Sequence, residues 1–127
     1  MFVRRGGEVL VLHRSERQGS YWHSVAGGLE PGESWAEAAA RELQEETGLV
    51  AEPVELDGQW AYPVGVYAAE YEPGTEQVDV HSFVVEAPPK WEPRLDWEHD
   101  DYRWCTVDDA CELFYWPEPR AALRALA

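Results

Sequence analysis

The chain has 127 residues, 45% of them hydrophobic and 13% aromatic, which suits one packed domain over residues 1–127 rather than a disordered segment. Ten basic against 25 acidic residues leave a formal charge of −15, which disfavours nucleic-acid polymers and anionic membranes as partners. No signal-peptide pattern is present and no apolar run approaches about 18 residues. A soluble, cytoplasmic protein is expected, with Cys105 and Cys111 as reduced, partly buried thiols.

Met1 to Arg5 leads to a turn at Gly6-Gly7, and Glu8 to His13 (EVLVLH) reads as a strongly apolar strand. Trp22 to Ala26 is a short extended piece entering a tight loop marked by Gly27-Gly28 and Pro31-Gly32, whose carbonyls are free to face a metal. Ser34 followed by Glu37 is a capping box, so a helix is expected from Trp35, stopped by Gly48 after Thr47. Ala51 to Trp60 and Val64 to Tyr71 read as strands separated by Pro63, and Pro73-Gly74 turns the chain into one long strand, Gln77 to Glu86, ended by Pro88-Pro89. Tyr102 to Thr106 is a short strand. Thr106 caps a helix running to about Tyr115, and Pro117 and Pro119 open a last helix over Arg120 to Leu126.

The helix beginning at Trp35 carries the chemistry. Glu42, Glu45 and Glu46 stand at i, i+3 and i+4, which places three carboxylates on one helical stripe. Like charges so close repel unless a cation sits between them. Hard oxygen ligands at this density suit Mg²⁺ or Mn²⁺, which bind substrate phosphates alongside one or two carboxylates. Acidic helices are often only solvated faces. Here Ala36, Ala39, Ala40, Leu43 and Thr47 cluster away from the carboxylates and form a narrow seam to pack on a sheet, so the acids have a fixed place in the fold.

From Gly27 to Leu49 the chain reads GGLEPGESWAEAAARELQEETGL, with Gly27, Glu33, Arg41, Glu42, Leu43, Glu45, Glu46, Gly48 and Leu49 at the spacing G-x5-E-x7-R-E-U-x-E-E-x-G-U, where U is a bulky aliphatic. This segment, 27–49, resembles the box of the Nudix family, hydrolases of nucleoside diphosphates linked to another moiety. The resemblance implies an α/β fold, an α/β/α sandwich around a mixed sheet, and a Mg²⁺- or Mn²⁺-dependent pyrophosphohydrolase. Glu42, Glu45 and Glu46 would then be metal ligands, joined by the Gly27 carbonyl. Glu33 and Arg41 would form an ion pair holding loop and helix in register, and Glu45 or Glu42 would be the general base. The unaltered box argues against a non-catalytic nucleotide sensor, whose glutamates are typically replaced. Dimers are frequent in the family. Nudix domains usually begin with a longer strand than Met1 to Arg5, which implies a short first strand or a start upstream of Met1; a missing half-strand would weaken one sheet edge.

The flanking sequence is similar to two subfamilies, the dihydroneopterin triphosphate pyrophosphohydrolases and the asymmetrical diadenosine tetraphosphate hydrolases. Both are matched by EHDDYRW (Glu98 to Trp104) and WPEPRAAL (Trp116 to Leu123). Trp22-His23-Ser24-Val25, the Glu70 to Gly74 turn and Val80 to Phe83 with Ala87-Pro88 tilt toward the first. The implied substrate is a small nucleoside or pterin triphosphate, dATP included, cleaved to monophosphate and pyrophosphate. Dinucleoside polyphosphates and oxidised nucleotides are the alternatives. By the same resemblance Glu98 is a further metal ligand, with His99 either behind the ligands or exposed, and Arg14 faces the substrate phosphates. Trp22, Tyr71 and His81 are candidates to line the ring pocket, and Trp35 is expected to pack on the adjacent loop.

Overall fold

A computed structural model describes residues 1–56, 60–63, 77–114 and 118–125, with the backbone alone for 60–63, 77–80 and 118–119. The expected Val64 to Tyr71 strand, the Pro73-Gly74 turn and Tyr71 itself lie outside the described residues.

Strand β1 (Phe2–Arg5) turns through Gly6, at φ 62°, into β2 (Glu8–Arg14). β2 is the hub of the main sheet. Along one edge it pairs with β8 (His99–Cys105), and along the other with β1 near its start and β3 (Trp22–His23) near its end, all antiparallel. β7 (Phe83–Glu86) lies parallel to β1, and β4 (Val54–Glu55) closes that side antiparallel to β7. The sheet is therefore mixed. β1 is an interior strand between β2 and β7, so a shortened β1 does not weaken an edge as the sequence reading had it. β5 (Trp60–Pro63) and β6 (Gln77–Val80) form a separate antiparallel pair.

Three extended segments differ from their sequence outlines. Of the expected Ala51 to Trp60 strand, the described residues show β4 at Val54–Glu55 and Trp60 at the start of β5, in a different sheet. The expected Gln77 to Glu86 strand breaks at His81-Ser82, where the chain crosses from the β5 pair to the main sheet. The short Tyr102 to Thr106 strand begins earlier, at His99.

The continuous apolar run of β2 follows from coverage on both faces. Val9 and Val11 point to a core shared with Phe2, Cys105 and residues of α2 (Val107–Leu113) and α3 (Glu118–Arg124): Ala110, Cys111 and Leu123. Leu10 and Leu12 point the other way, to Val3, Val25, Val85 and Leu43 of α1 (Trp35–Thr47). One helix covers one face and two cover the other, giving the α/β/α sandwich. Both cysteines are free and buried, and among the described residues no helix is long and apolar enough to cross a membrane.

The ends of α1 are set locally. Glu37 N–H donates to Ser34 Oγ and Ser34 N–H donates to Glu37 Oε1, each at 3.1 Å, so two orphan donors satisfy one another. Gly48 ends the helix at φ 82°, a left-handed conformation costly for a residue with a Cβ. Ser34→Ala removes the reciprocal cap and should cost about 1 kcal/mol in denaturant-induced unfolding.

Candidate active site

Arg41, on the half-buried flank of α1, ties helix to loop. Its Nε and Nη2 donate to the two oxygens of Glu33 at 2.8 and 3.0 Å, a bidentate pair across the Pro31-Gly32 turn. Nη2 also donates to the Gly28 carbonyl at 2.8 Å. Nη1 donates to Glu42 Oε1 at 2.8 Å and to Glu45 Oε2 at 3.3 Å. Glu33 in turn accepts from Glu30 N–H, closing the loop on itself. The guanidinium hydrogen bonds hold the Glu33 carboxyl below the usual carboxylate range, and the same bonds raise the Arg41 pKa. The register-holding ion pair is thus in place, and Arg41 is itself the cation between two carboxylates of the stripe.

The three box glutamates occupy different environments. The Glu45 side chain is 56% exposed, Glu42 18% and Glu46 3%. The stripe spans about 100° of helix surface, and Glu46 lies only about 60° around the axis from Leu43. Packing Leu43 and Thr47 onto the sheet carries Glu46 inside with them, so the seam differs from its sequence outline: Ala36 is exposed, while Ala38, Leu43, Glu46 and Thr47 are buried. Burial first, and the adjacent Glu42 carboxylate second, push Glu46 up to about 10. One of its oxygens, Oε2, is buried with no hydrogen-bond partner.

Gly27 is packed directly on Glu42. A Cβ there would overlap the Glu42 carboxyl carbon and Oε1, whereas a Cβ on Gly28 would meet nothing. The glycine makes room for a carboxylate head at the loop mouth. That cradle, beside a buried carboxylate with an unpartnered oxygen, fits a divalent cation with hard oxygen ligands.

Two histidines lie behind Glu46. His23 faces the α1 side of the sheet by strand alternation, opposite Leu12. His99 reaches the same side through a bulge: β8 pairs Asp101 with His13 and then His99 with Arg14, skipping Asp100. His99 Nε2 lies 2.7 Å from His23 Nε2 and 3.4 Å from Glu46 Oε1, and its Nδ1 is 2.7 Å from Asp96 Oδ1. The His99 side chain is wholly buried, which settles its open exposure. Burial first, then the charges of His99 and Arg14, push His23 down to about 3. Period-two alternation without the bulge puts His99 on the wrong face, so sequence patterning did not assemble this cluster.

The remaining candidates divide. Arg14 Nη2 donates to Gln18 at 2.7 Å and lies 3.5 Å from Glu98 Oε2, and the Glu98 charge in turn helps to raise the Glu46 pKa. Trp22 points to the opposite face of the sheet, edge-on to His13 and under the Arg103 guanidinium, packed on the α2–α3 core. His81 stacks on Trp35 with ring centroids 3.9 Å apart and bonds Glu55 through Nδ1 at 2.7 Å. Trp35 thus packs on the chain linking β6 to β7.

A NUDIX domain model matches residues 1–126. An asymmetrical bis(5′-nucleosyl)-tetraphosphatase of Rattus norvegicus is 34% identical over 120 residues, covering 92% of this chain and 76% of that protein. This chain therefore belongs to the Nudix hydrolase family. A Myxococcus xanthus protein named octanoyltransferase is 43% identical over 110 residues, 85% of this chain but 29% of its own length, so the present chain corresponds to only part of it. Among solved structures, the E. coli dihydroneopterin triphosphate pyrophosphohydrolase shares the fold, with a TM-score of 0.84 at 22% identity over 98% of this chain and 89% of that one.

Two outcomes are expected. Gly27→Ala should drive the Glu42 carboxylate off its seat and weaken Mn²⁺ binding about tenfold or more, read by electron paramagnetic resonance titration, with Gly28→Ala unchanged. His23 stays neutral when folded but takes up a proton near 6.5 when unfolded. The unfolded chain therefore binds more protons below that pH, and stability falls as pH drops from 6.5 toward about 3. In chelator-containing buffer, His23→Gln should remove that part of the pH dependence of the unfolding midpoint.

Proposed function

We propose that this chain is a metal-dependent pyrophosphohydrolase that cleaves a nucleoside or pterin triphosphate to its monophosphate and pyrophosphate. The Glu42 carboxylate seated on Gly27 and locked to the loop through Arg41 and Glu33 carries the reading. The Glu42 head is thereby held at the loop before any cation arrives. Glu42, Glu45, Glu46 and Glu98, with the Gly27 carbonyl, are the groups to hold Mg²⁺ or Mn²⁺, which when bound draws charge from phosphate oxygens and acidifies a water.

The chain's own residues then divide the work. Glu45, with its head in solvent, takes the proton of the attacking water, and Glu42 is the alternative base. Arg41 and Glu33 orient both carboxylates. With a net charge of −15 the protein repels its anionic substrate, so Arg14, beside Glu98, supplies local positive charge toward the phosphates. His81 on Trp35 offers an aromatic platform for the ring, with Tyr71 a further candidate, whereas Trp22 faces the other side of the sheet and takes no part.

The rat tetraphosphatase likeness supports a second reading, asymmetrical cleavage of a dinucleoside tetraphosphate. Incubation with Mg²⁺ and dihydroneopterin triphosphate, dATP, 8-oxo-dGTP and diadenosine tetraphosphate, followed by chromatography, separates the two. Pyrophosphate and a monophosphate from the pterin or dATP is the expected result. ATP released from the dinucleotide selects the second reading, and tight binding with no product overturns both in favour of a sensor. Glu45→Gln should lower kcat about 100-fold or more with the circular dichroism spectrum retained; an unchanged rate removes Glu45 from the mechanism.

A further inference from the structure

Among the described residues, His23, Glu46 and His99 bring three ligand atoms within 4.8 Å of one another, and all three residues are buried. They come from β3, α1 and β8, so the whole fold builds the cluster. Nothing in phosphate hydrolysis by hard oxygen ligands calls for two imidazoles there.

The polar groups satisfy one another only in part: the two Nε2 atoms are hydrogen-bonded at 2.7 Å, while the buried Glu46 carboxylate keeps an unpartnered oxygen. Asp96 Oδ1, at 2.7 Å, holds the proton of His99 on Nδ1, which leaves the Nε2 lone pair aimed at His23 and Glu46. At 3.4 Å that lone pair faces a carboxylate oxygen, an arrangement that repels unless a proton or a cation lies between them. The other carboxylate oxygen, Oε2, has no hydrogen-bond partner. The near-parallel rings, 13° apart with centroids at 5.0 Å, present their Nε2 atoms side by side at 2.7 Å.

We propose that His23, Glu46 and His99 form a buried site for a borderline-soft divalent transition metal of the zinc class, distinct in donor chemistry from the hard-cation site at Glu42, Glu45 and Glu98 and sharing the Glu46 carboxylate with it. Two imidazole nitrogens and one carboxylate, with a carboxylate behind one imidazole, suit Zn²⁺ over Mg²⁺. Four-coordinate zinc at about 2.0–2.1 Å from each nitrogen separates the two by about 3.4 Å, so the nitrogens, 2.7 Å apart here, part by about 0.7 Å on loading. Glu46 stands between the two sites. The assignment does not rest on the hydrolytic reading and would hold for a chain without turnover.

The test uses the full chain stripped by chelator, dialysed against Zn²⁺ in excess Mg²⁺ and assayed for metal content, with Co²⁺ as the spectroscopic probe. A single zinc retained against Mg²⁺, and the strong visible absorption of nitrogen-bound, low-coordinate Co²⁺, are expected. His23→Gln and His99→Gln should each abolish both signals. Asp96→Asn keeps all three ligands and should weaken zinc binding about 10–100-fold, which separates a metal site from a variant that merely unfolds. The proposal is overturned if the wild-type chain retains no zinc, if both histidine variants retain it equally, or if Co²⁺ shows only the weak spectrum of oxygen ligation.

Discussion

The Arg41 guanidinium is the constraint around which the acidic half of the molecule is organised. Its donors are spent on Glu33, Gly28, Glu42 and Glu45, so one side chain satisfies a loop carbonyl, clamps a turn and neutralises two helix carboxylates. A lysine has no planar fork to serve those directions at once. With Arg41 in place the loop from Gly27 to Glu33 becomes a rigid lip on the helix, and the Glu42 head can press on Gly27 without being repelled into solvent. The capping box at Ser34 fixes where the helix begins, and hence how far Arg41 stands from that lip.

The sheet supplies the other half of the site by an irregularity. A regular β8 would carry His99 to the face of α2 and α3. The extra residue at Asp100 turns it to α1, where Asp96 fixes its ring and His23 stacks on it. Asp100 pairs with His13 Nδ1 at 2.6 Å, so the bulged residue is itself held. Glu46 is drawn inward from the helix and His99 from the sheet, and the acid and the imidazole meet at the layer boundary.

Local signals carried what was legible in the sequence. The limits of α1 follow from Ser34, Glu37 and Gly48, and the Arg41–Glu33 pair from the box spacing, because each depends on residues a few positions apart. The Thr106 cap of α2 was readable for the same reason. Tertiary choices were not readable. QVDVHSFVVE alternates at its start and then turns apolar, which reads as one strand, yet it splits at His81-Ser82 because two different sheets claim its halves. Glu46 belongs by type to the solvent stripe and by angle to the buried seam, and packing of Leu43 decided between them. Trp22 and His23 are adjacent in sequence and lie on opposite faces, so proximity to the box does not place a side chain near its carboxylates.

The position of β1 has a consequence for how the molecule comes into being. Its parallel neighbour is β7, with Arg4 beside Glu86, 82 residues further along the chain. Until β7 has left the ribosome, the first hairpin presents an unpaired edge bearing Phe2 and Val3, and the loop and helix with the acidic site have only part of the sheet to dock on. Assembly of the metal-binding face therefore waits on a strand that contributes no ligand to it, and early nascent chains are the species most open to mispairing.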